Sequence, residues 1–239
     1  MVRSAGLTST RTAAARPWSA RIVAVLGWAL LIAGACILLY LVYALLFTSV
    51  AAERAQDELR TQWTDRSAPE PVVPASEPAA DLVGEPSEPA PQEDAPPDSG
   101  VALIEFSRPG DASTIVHDEP LVVLDDVSVG DLQQGPGHYP GTALPGEPGN
   151  FAVAGHRTTY GAPFFHLDAL RRGDRVLVTD RRGRRHTYEV AEQRVVLPSD
   201  TWVIGDDPLR SGRPTLTLTT CNPRFSAAER LVVHAELQS

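Results

Sequence analysis

From Ile22 to Phe47 the chain carries no charged residue, and this unbroken apolar run limits what can surround it. As a helix it would span roughly 39 Å at about 1.5 Å per residue, against a hydrocarbon core of about 30 Å. A secretory signal has an apolar stretch of only about 7 to 15 residues, although Ser49-Val50-Ala51 resembles a small-residue cleavage site. The length favours a retained transmembrane helix over 22–47. Residues 1–21 contain Arg3, Arg11, Arg16 and Arg21 and no acid. The positive-inside tendency keeps such a flank in the cytoplasm and sends the C-terminal part outside. The expected location is the cell membrane, single-pass, with the folded domain extracytoplasmic.

Residues 48–66 read as a short polar juxtamembrane helix with Glu53, Arg54, Asp57, Glu58 and Arg60. The character then changes: Ser67 to Gly100 holds nine prolines and eight acids and no base. Such a segment buries too little to fold, and prolines with like charges keep it extended, so 67–100 reads as a disordered Pro/acidic linker. The acidity, and the lack of a basic stripe with interleaved aromatics, argue against a nucleic-acid partner. All 21 cationic side chains apart from histidine are arginines, a pattern best explained by GC-rich coding.

The folded domain is expected over 101–239, about 140 residues and enough for one core. Its apolar segments are short and β-rich: Val101 to Phe106, Leu121 to Leu124, Phe151 to Ala154, Arg175 to Thr179, His186 to Val196, Pro214 to Cys221 and Arg230 to Leu237. Arg181-Arg182-Gly183 reads as a hairpin loop, and helical signal is confined to short turns near 129–133 and 164–170. Short strands at this spacing predict an antiparallel barrel or sandwich.

Cys221 is the only cysteine of this domain, and the chain's other one, Cys36, lies in the apolar run, so a disulfide framework is excluded. An unpaired thiol outside the cell needs a reason, and catalysis is one. A free thiol has a pKa near 8.5, so only about 3% is thiolate at pH 7, and a nucleophilic one needs a base or cation beside it. In the strand over 214–221, Thr215, Thr217, Thr219 and Cys221 share a face opposite Leu216, Leu218 and Thr220, which predicts a half-buried strand with the thiol on its polar side. His156 follows the small strand Phe151-Ala-Val-Ala154 and Gly155, which places an imidazole at a strand end. Arg230 opens the last strand in phase with Val232, His234 and Glu236, away from Leu231, Val233, Ala235 and Leu237. Arg224 is its competitor, in a turn made by Asn222-Pro223. No zinc-ligand spacing, phosphate loop or dinucleotide fingerprint occurs, and no cofactor is implied. Asp125-Asp126 would suit calcium only as part of a larger set.

Thr217-Leu-Thr-Thr-Cys221, Ala154-Gly-His156 and Arg230-Leu-Val-Val233 together resemble the signature segments of sortases, with His, Cys and Arg in that family's order along the chain. Gly135-Pro-Gly-His-Tyr-Pro-Gly-Thr-Ala-Leu-Pro-Gly146, Gly149-Asn-Phe-Ala-Val-Ala-Gly-His-Arg-Thr-Thr-Tyr-Gly161 and Cys221-Asn-Pro-Arg-Phe-Ser226 resemble the class E type of high-GC Gram-positive bacteria. The resemblance implies a mainly-β fold, a closed barrel of about eight strands with short helices. It implies a cysteine transpeptidase that cleaves a C-terminal Leu-Pro-X-Thr-Gly or Leu-Ala-X-Thr-Gly sorting signal between Thr and Gly through a thioester. The acyl group then passes to an amine of a lipid-linked peptidoglycan precursor. Partners on this reading are secreted proteins bearing the signal, the precursor amine and the membrane. Cys221 is the implied nucleophile, His156 the acid and base, and Arg230 the donor to substrate or oxyanion. A groove floor is expected from Thr217, Thr219 and Thr220, with walls from His138, Tyr139 and Tyr160. Where the family tends to show an Ile-Pro pair at the start of the domain, this chain has Glu105-Phe-Ser-Arg-Pro109.

The alternatives are an L,D-transpeptidase, a papain-like peptidase or a non-catalytic tethered β-module. The first would carry Ser-His-Gly directly before its cysteine, where this chain has Leu218-Thr219-Thr220. A papain-like enzyme opens a helix with its cysteine, which Asn222-Pro223 opposes.

Overall fold

The computed structural model describes residues 18–67, 100–111 and 115–238; the basic stretch 1–17 and the Pro-rich stretch 68–99 lie outside them. The chain divides into two compact units, Met1–Ala44 and Leu45–Ser239. Helix α1 (Trp18–Ser67) passes through the boundary between them. In the first unit Ile22, Leu30, Leu38 and Tyr43 are all exposed, and the helix is long and apolar enough to cross a membrane by length and composition.

The second unit holds eight strands among the described residues: β1 (Ala102–Ser107), β2 (Leu121–Val123), β3 (Gly137–His138), β4 (Asn150–Ala154), β5 (Arg175–Asp180), β6 (Arg185–Val196), β7 (Thr215–Asn222) and β8 (Glu229–Leu237). A one-turn helix α2 (Val129–Leu132) and 3-10 turns at Leu167–Ala169 and Thr201–Ile204 complete it. The strands form one sheet in the order β2-β1-β5-β6-β8-β7-β4-β3. Its two edges meet at a bridge between Leu124 and Gly137, where the Leu124 amide donates to Pro136 O and the His138 amide to Leu124 O, both at 2.8 Å. The sheet is thereby a nearly closed barrel, as expected.

One pairing departs from the antiparallel expectation: β4 runs parallel to β7, Ala154 opposite Thr219. Parallel neighbours need a long crossover, and here the β5–β6 hairpin and its flanking loops supply it. Strand β3 was not read from the sequence, because two residues carry no alternation. The hairpin loop over 181–183 is as expected: Gly183 takes φ +74, and the Asp180 carboxylate accepts from the Arg182 and Arg184 amides at 2.9 Å each.

Alternation fills the barrel. Ile104, Val178, Leu216, Leu218, Leu231 and Val233 point into one core, each worth roughly 1.5–3 kcal/mol of apolar burial. The outer face of β7 is a correction to the sequence reading, because Thr215, Thr217 and Thr219 are buried too, not half-exposed. The β6–β7 connection folds back over them through the turn at Thr201–Ile204. There the Thr217 hydroxyl meets Asn150 Oδ1 (2.8 Å), Val203 O (3.3 Å) and His234 Nδ1 (3.0 Å), while the Asn150 amide donates to Gly205 O. A hydroxyl has one proton; if it goes to Asn150, His234 Nδ1–H is the donor to Thr217, and His234 Nε2 is left as a buried acceptor without a partner.

The second half of α1 packs on the barrel. Ala52, Gln56 and Leu59 are buried and Trp63 is partly buried, a stripe at helical spacing that covers Val122 on β2 and Leu124 just past its end. Gln56 Oε1 accepts from the Val122 amide (2.9 Å), and its Nε2 donates to Val122 O (3.2 Å) and Gln134 O (3.1 Å), so one side chain takes the place of a neighbouring strand. Gly135 leaves the room for it: a Cβ there would come within 2.1 Å of Gln56 Nε2. The polar helix read over 48–66 is therefore part of the folded unit, which the sequence reading began at residue 101.

Candidate active site

Three chain segments converge on the end of β7. On one side β8 pairs antiparallel with it, and Cys221 lies directly opposite Arg230. On the other, the β4–β7 ladder continues past its last paired residues: the Gly155 amide donates to Thr219 O (3.1 Å) and the Thr220 hydroxyl to Gly155 O (2.7 Å). His156 is the next residue and stands level with Cys221 in that register. Gly155 is required by packing, since a Cβ would sit 2.6 Å from the buried ring of Phe164. The thiol shares the outer face of β7 and is partly exposed, at the one end of the strand that the β6–β7 connection leaves open.

The His156 ring is half-buried, with Nδ1 3.3 Å from the Thr159 hydroxyl and its centroid 4.9 Å from the Tyr160 ring. Burial without a compensating carboxylate holds its pKa below the ordinary 6.5, so the imidazole is neutral at neutral pH. Arg230 is partly exposed; its Nη1 donates to Ala227 O and Glu229 O at 3.0 Å each, and Nε and Nη2 have no partner among the described residues. Arg224 is already engaged, with Nη2 on both oxygens of Asp168 at 3.0 and 3.1 Å and its guanidinium over Phe165 at 4.3 Å.

The expected groove residues separate. Tyr139 is partly exposed, and its hydroxyl lies 3.0 Å from Thr219 Oγ1, two residues before the thiol on the same face. Tyr160 adjoins His156 and holds φ +52. His138 is buried instead, stacked on Phe151 and hydrogen-bonded to Thr142 (2.9 Å) and Ala143 O (3.2 Å), so it props the 139–143 loop from inside. Thr217 is enclosed by its three partners, Thr220 points inward to Gly155 and Thr219 is buried beneath Tyr139, so none of the three presents a floor. Asp125 lies 3.9 Å from both His138 Nδ1 and Arg181 Nη2, and no group of three or more His, Cys, Asp or Glu among the described residues is placed to hold a metal.

Arg157 went unread in the sequence. It is 5% exposed, and its Nη1 donates to Cys221 O (3.2 Å) and Asn222 Oδ1 (2.6 Å). A cation directly after the candidate histidine was the available signal, but it lies outside any strand, so phase could not tell which way it pointed. A cavity of about 810 Å³ borders Tyr160, Phe165 and the docked part of α1, and Cys221, His156 and Arg230 are not in its lining.

A nearly closed eight-stranded barrel with a lone thiol at the end of β7, flanked by an imidazole and a guanidinium, is the architecture of the barrel-type cysteine transpeptidases. The family model for the sortase domain matches residues 114–238. The chain belongs to the sortase family. It is 30% identical to Sortase SrtE2 of Streptomyces coelicolor over 237 residues, 92% of this chain and 83% of that protein. Among solved structures it resembles sortase E from Streptomyces avermitilis, with 38% identity and a TM-score of 0.50 over 59% of this chain and 88% of that one. It also resembles the SrtF sortase from Corynebacterium diphtheriae, with 28% identity and a TM-score of 0.53 over 65% and 92%.

Proposed function

We propose that this chain is a membrane-anchored class E sortase that exchanges the Thr–Gly bond of a C-terminal Leu-Pro-X-Thr-Gly or Leu-Ala-X-Thr-Gly sorting signal for a bond to a cell-wall precursor amine. The observation that carries it is the meeting of Cys221, Arg230 and His156 at one strand end. Neutral His156 takes the thiol proton, and the Cys221 sulfur attacks the threonine carbonyl carbon. The carbonyl oxygen, now negative, accepts hydrogen bonds from the free edge of Arg230, Nε and Nη2. As the C–N bond breaks, the His156 imidazolium returns its proton to the leaving glycine amine, and a thioester remains. An incoming amine, deprotonated by His156, attacks the thioester carbonyl and expels the thiolate. Tyr139 and Tyr160 line the approach to the thiol.

Helix α1 over 22–47 serves as the anchor, with residues 1–21 in the cytoplasm and the domain outside. The length of the apolar run and the arginine-only flank support this arrangement.

The test is mass spectrometry of the detergent-solubilised full chain mixed with each signal peptide. An adduct equal to the peptide without its glycine-side product is expected. It should be absent in Cys221→Ala and discharged by an added amine. No adduct with either peptide overturns the proposal, as does a Cys221 that an alkylating probe labels only in denaturant.

A further inference from the structure

We infer that Arg157 is a positioning residue for the transfer reaction, tying the backbone beside His156, Cys221 and Arg230 into one frame; the inference rests on the proposed roles of those three. The attachments fall on the backbone of Cys221 and on chain neighbours of Cys221 and Arg230. Arg157 itself follows His156. Its Nη1 donates to the carbonyl of Cys221 and to Asn222 Oδ1, at 3.2 and 2.6 Å. The Asn222 amide in turn donates to Glu229 Oε2 at 2.8 Å, and Glu229 both pairs with Asn222 across the sheet and precedes Arg230. On the far side Arg157 Nη2 lies 3.2 Å from Asp168, whose carboxylate also holds Arg224.

The arrangement is poorly suited to stability alone. A guanidinium only 5% exposed is balanced by a carboxylate that is 43% exposed, and Arg157 Nε is buried with no partner. Removing a charge from water is costly, and an apolar side chain would fill the same volume without that cost. What the guanidinium supplies is geometry. Its planar fork reaches the Cys221 carbonyl, Asn222 and Asp168 in fixed directions, which a lysine ammonium on a flexible stem does not reproduce. The β4–β7 ladder ends with the Gly155 amide on Thr219 O, so from His156 onward no backbone hydrogen bond joins the two segments among the described residues. Arg157 joins the two segments where the ladder gives out. A displacement of about 1 Å between reacting groups costs on the order of a hundredfold in rate.

The test measures single-turnover acylation and peptide affinity on the detergent-solubilised full chain, with Cys221→Ala as control. Arg157→Gln is expected to slow acylation about 30- to 100-fold with peptide affinity within threefold, and Arg157→Lys to recover less than a third of the loss. Asp168→Asn, a change at a half-exposed position, should slow acylation about 3- to 10-fold in the same way, whereas Arg224→Ala stays within threefold. Acylation by Cys221→Ala would sink the underlying reading of function. With Cys221→Ala inert, acylation within threefold of the parent in Arg157→Gln overturns the positioning role, as does a loss confined to peptide affinity. Should Arg157→Gln fail to fold, Asp168→Asn decides: slowed acylation at unchanged affinity supports the role, and parental acylation rejects it.

Discussion

Cys221 and Arg230 are register partners across the β7–β8 pair, one at the end of its strand and the other near the start. Antiparallel pairing holds their Cα atoms about 4.5–5.5 Å apart, which supports the proposed role of Arg230 at the oxyanion. Arg224, three residues from Cys221, is turned to Asp168 and Phe165. Arg230→Ala is therefore expected to lower kcat/KM at least a hundredfold, about 2.7 kcal/mol, and Arg224→Ala less than tenfold. Peptide-cleavage kinetics on the two variants check this, and the reverse order would assign the oxyanion role to Arg224.

In the proposed cycle His156 begins neutral, because burial lowers its pKa. A base whose conjugate acid is strengthened in this way stays unprotonated to lower pH, so the acid limb of kcat/KM should be centred below pH 6.5. A pH series with a signal peptide measures the limb. A decline centred at or above 6.5 contradicts a neutral imidazole as the starting base.

His234 gives a stability prediction of known sign. Burial is the main reason its pKa falls to about 4, with the Glu192 carboxylate opposing and Arg194 reinforcing the shift. The unfolded chain, with an ordinary histidine near 6.5, binds more protons between these values. Folding is thus at full strength above pH 6.5 and loses roughly 3 kcal/mol as pH falls to 4, with no further loss from this group below that. Denaturant midpoints from pH 7 to 4.5 should drop less steeply in His234→Gln than in the parent. Equal slopes would remove His234 from the account.

Gln56 fastens the polar half of α1 to the barrel where β2 and β3 meet. Gln56→Ala leaves the amide and carbonyl of Val122 without their partner beneath a covering helix, which should cost about 2–3 kcal/mol. Gly135→Ala should cost a similar amount by driving a methyl into Gln56. If the two act through one contact, the double variant is little worse than either single one; full additivity in urea denaturation would separate them.

Much of the site was legible because alternation is a local property. The phase of β8 put Leu231, Val233 and Ala235 in the core and Arg230 on the opposite face, and the structure has them so. His156 was read at the end of the small strand 151–154, and it follows β4 directly after Gly155. The stripe Ala52, Gln56, Leu59, Trp63 was present as helical spacing but was masked by the charges around it, with a glutamine at its centre. Thr217 misled because a polar residue on an alternating strand reads as solvent-facing, and its cover comes from residues distant in the chain, Asn150, Val203 and His234.

By itself the sequence determined the apolar run, the single thiol of the domain and the two faces of the strand that carries it, since each depends only on residue type and a period of two. Tertiary structure alone decided what stands beside Cys221. Which segments flank a strand end is set by pairing over whole strands, parallel to β4 and antiparallel to β8. That pairing brings His156, Arg230 and the buried Arg157 to one place from separate parts of the chain.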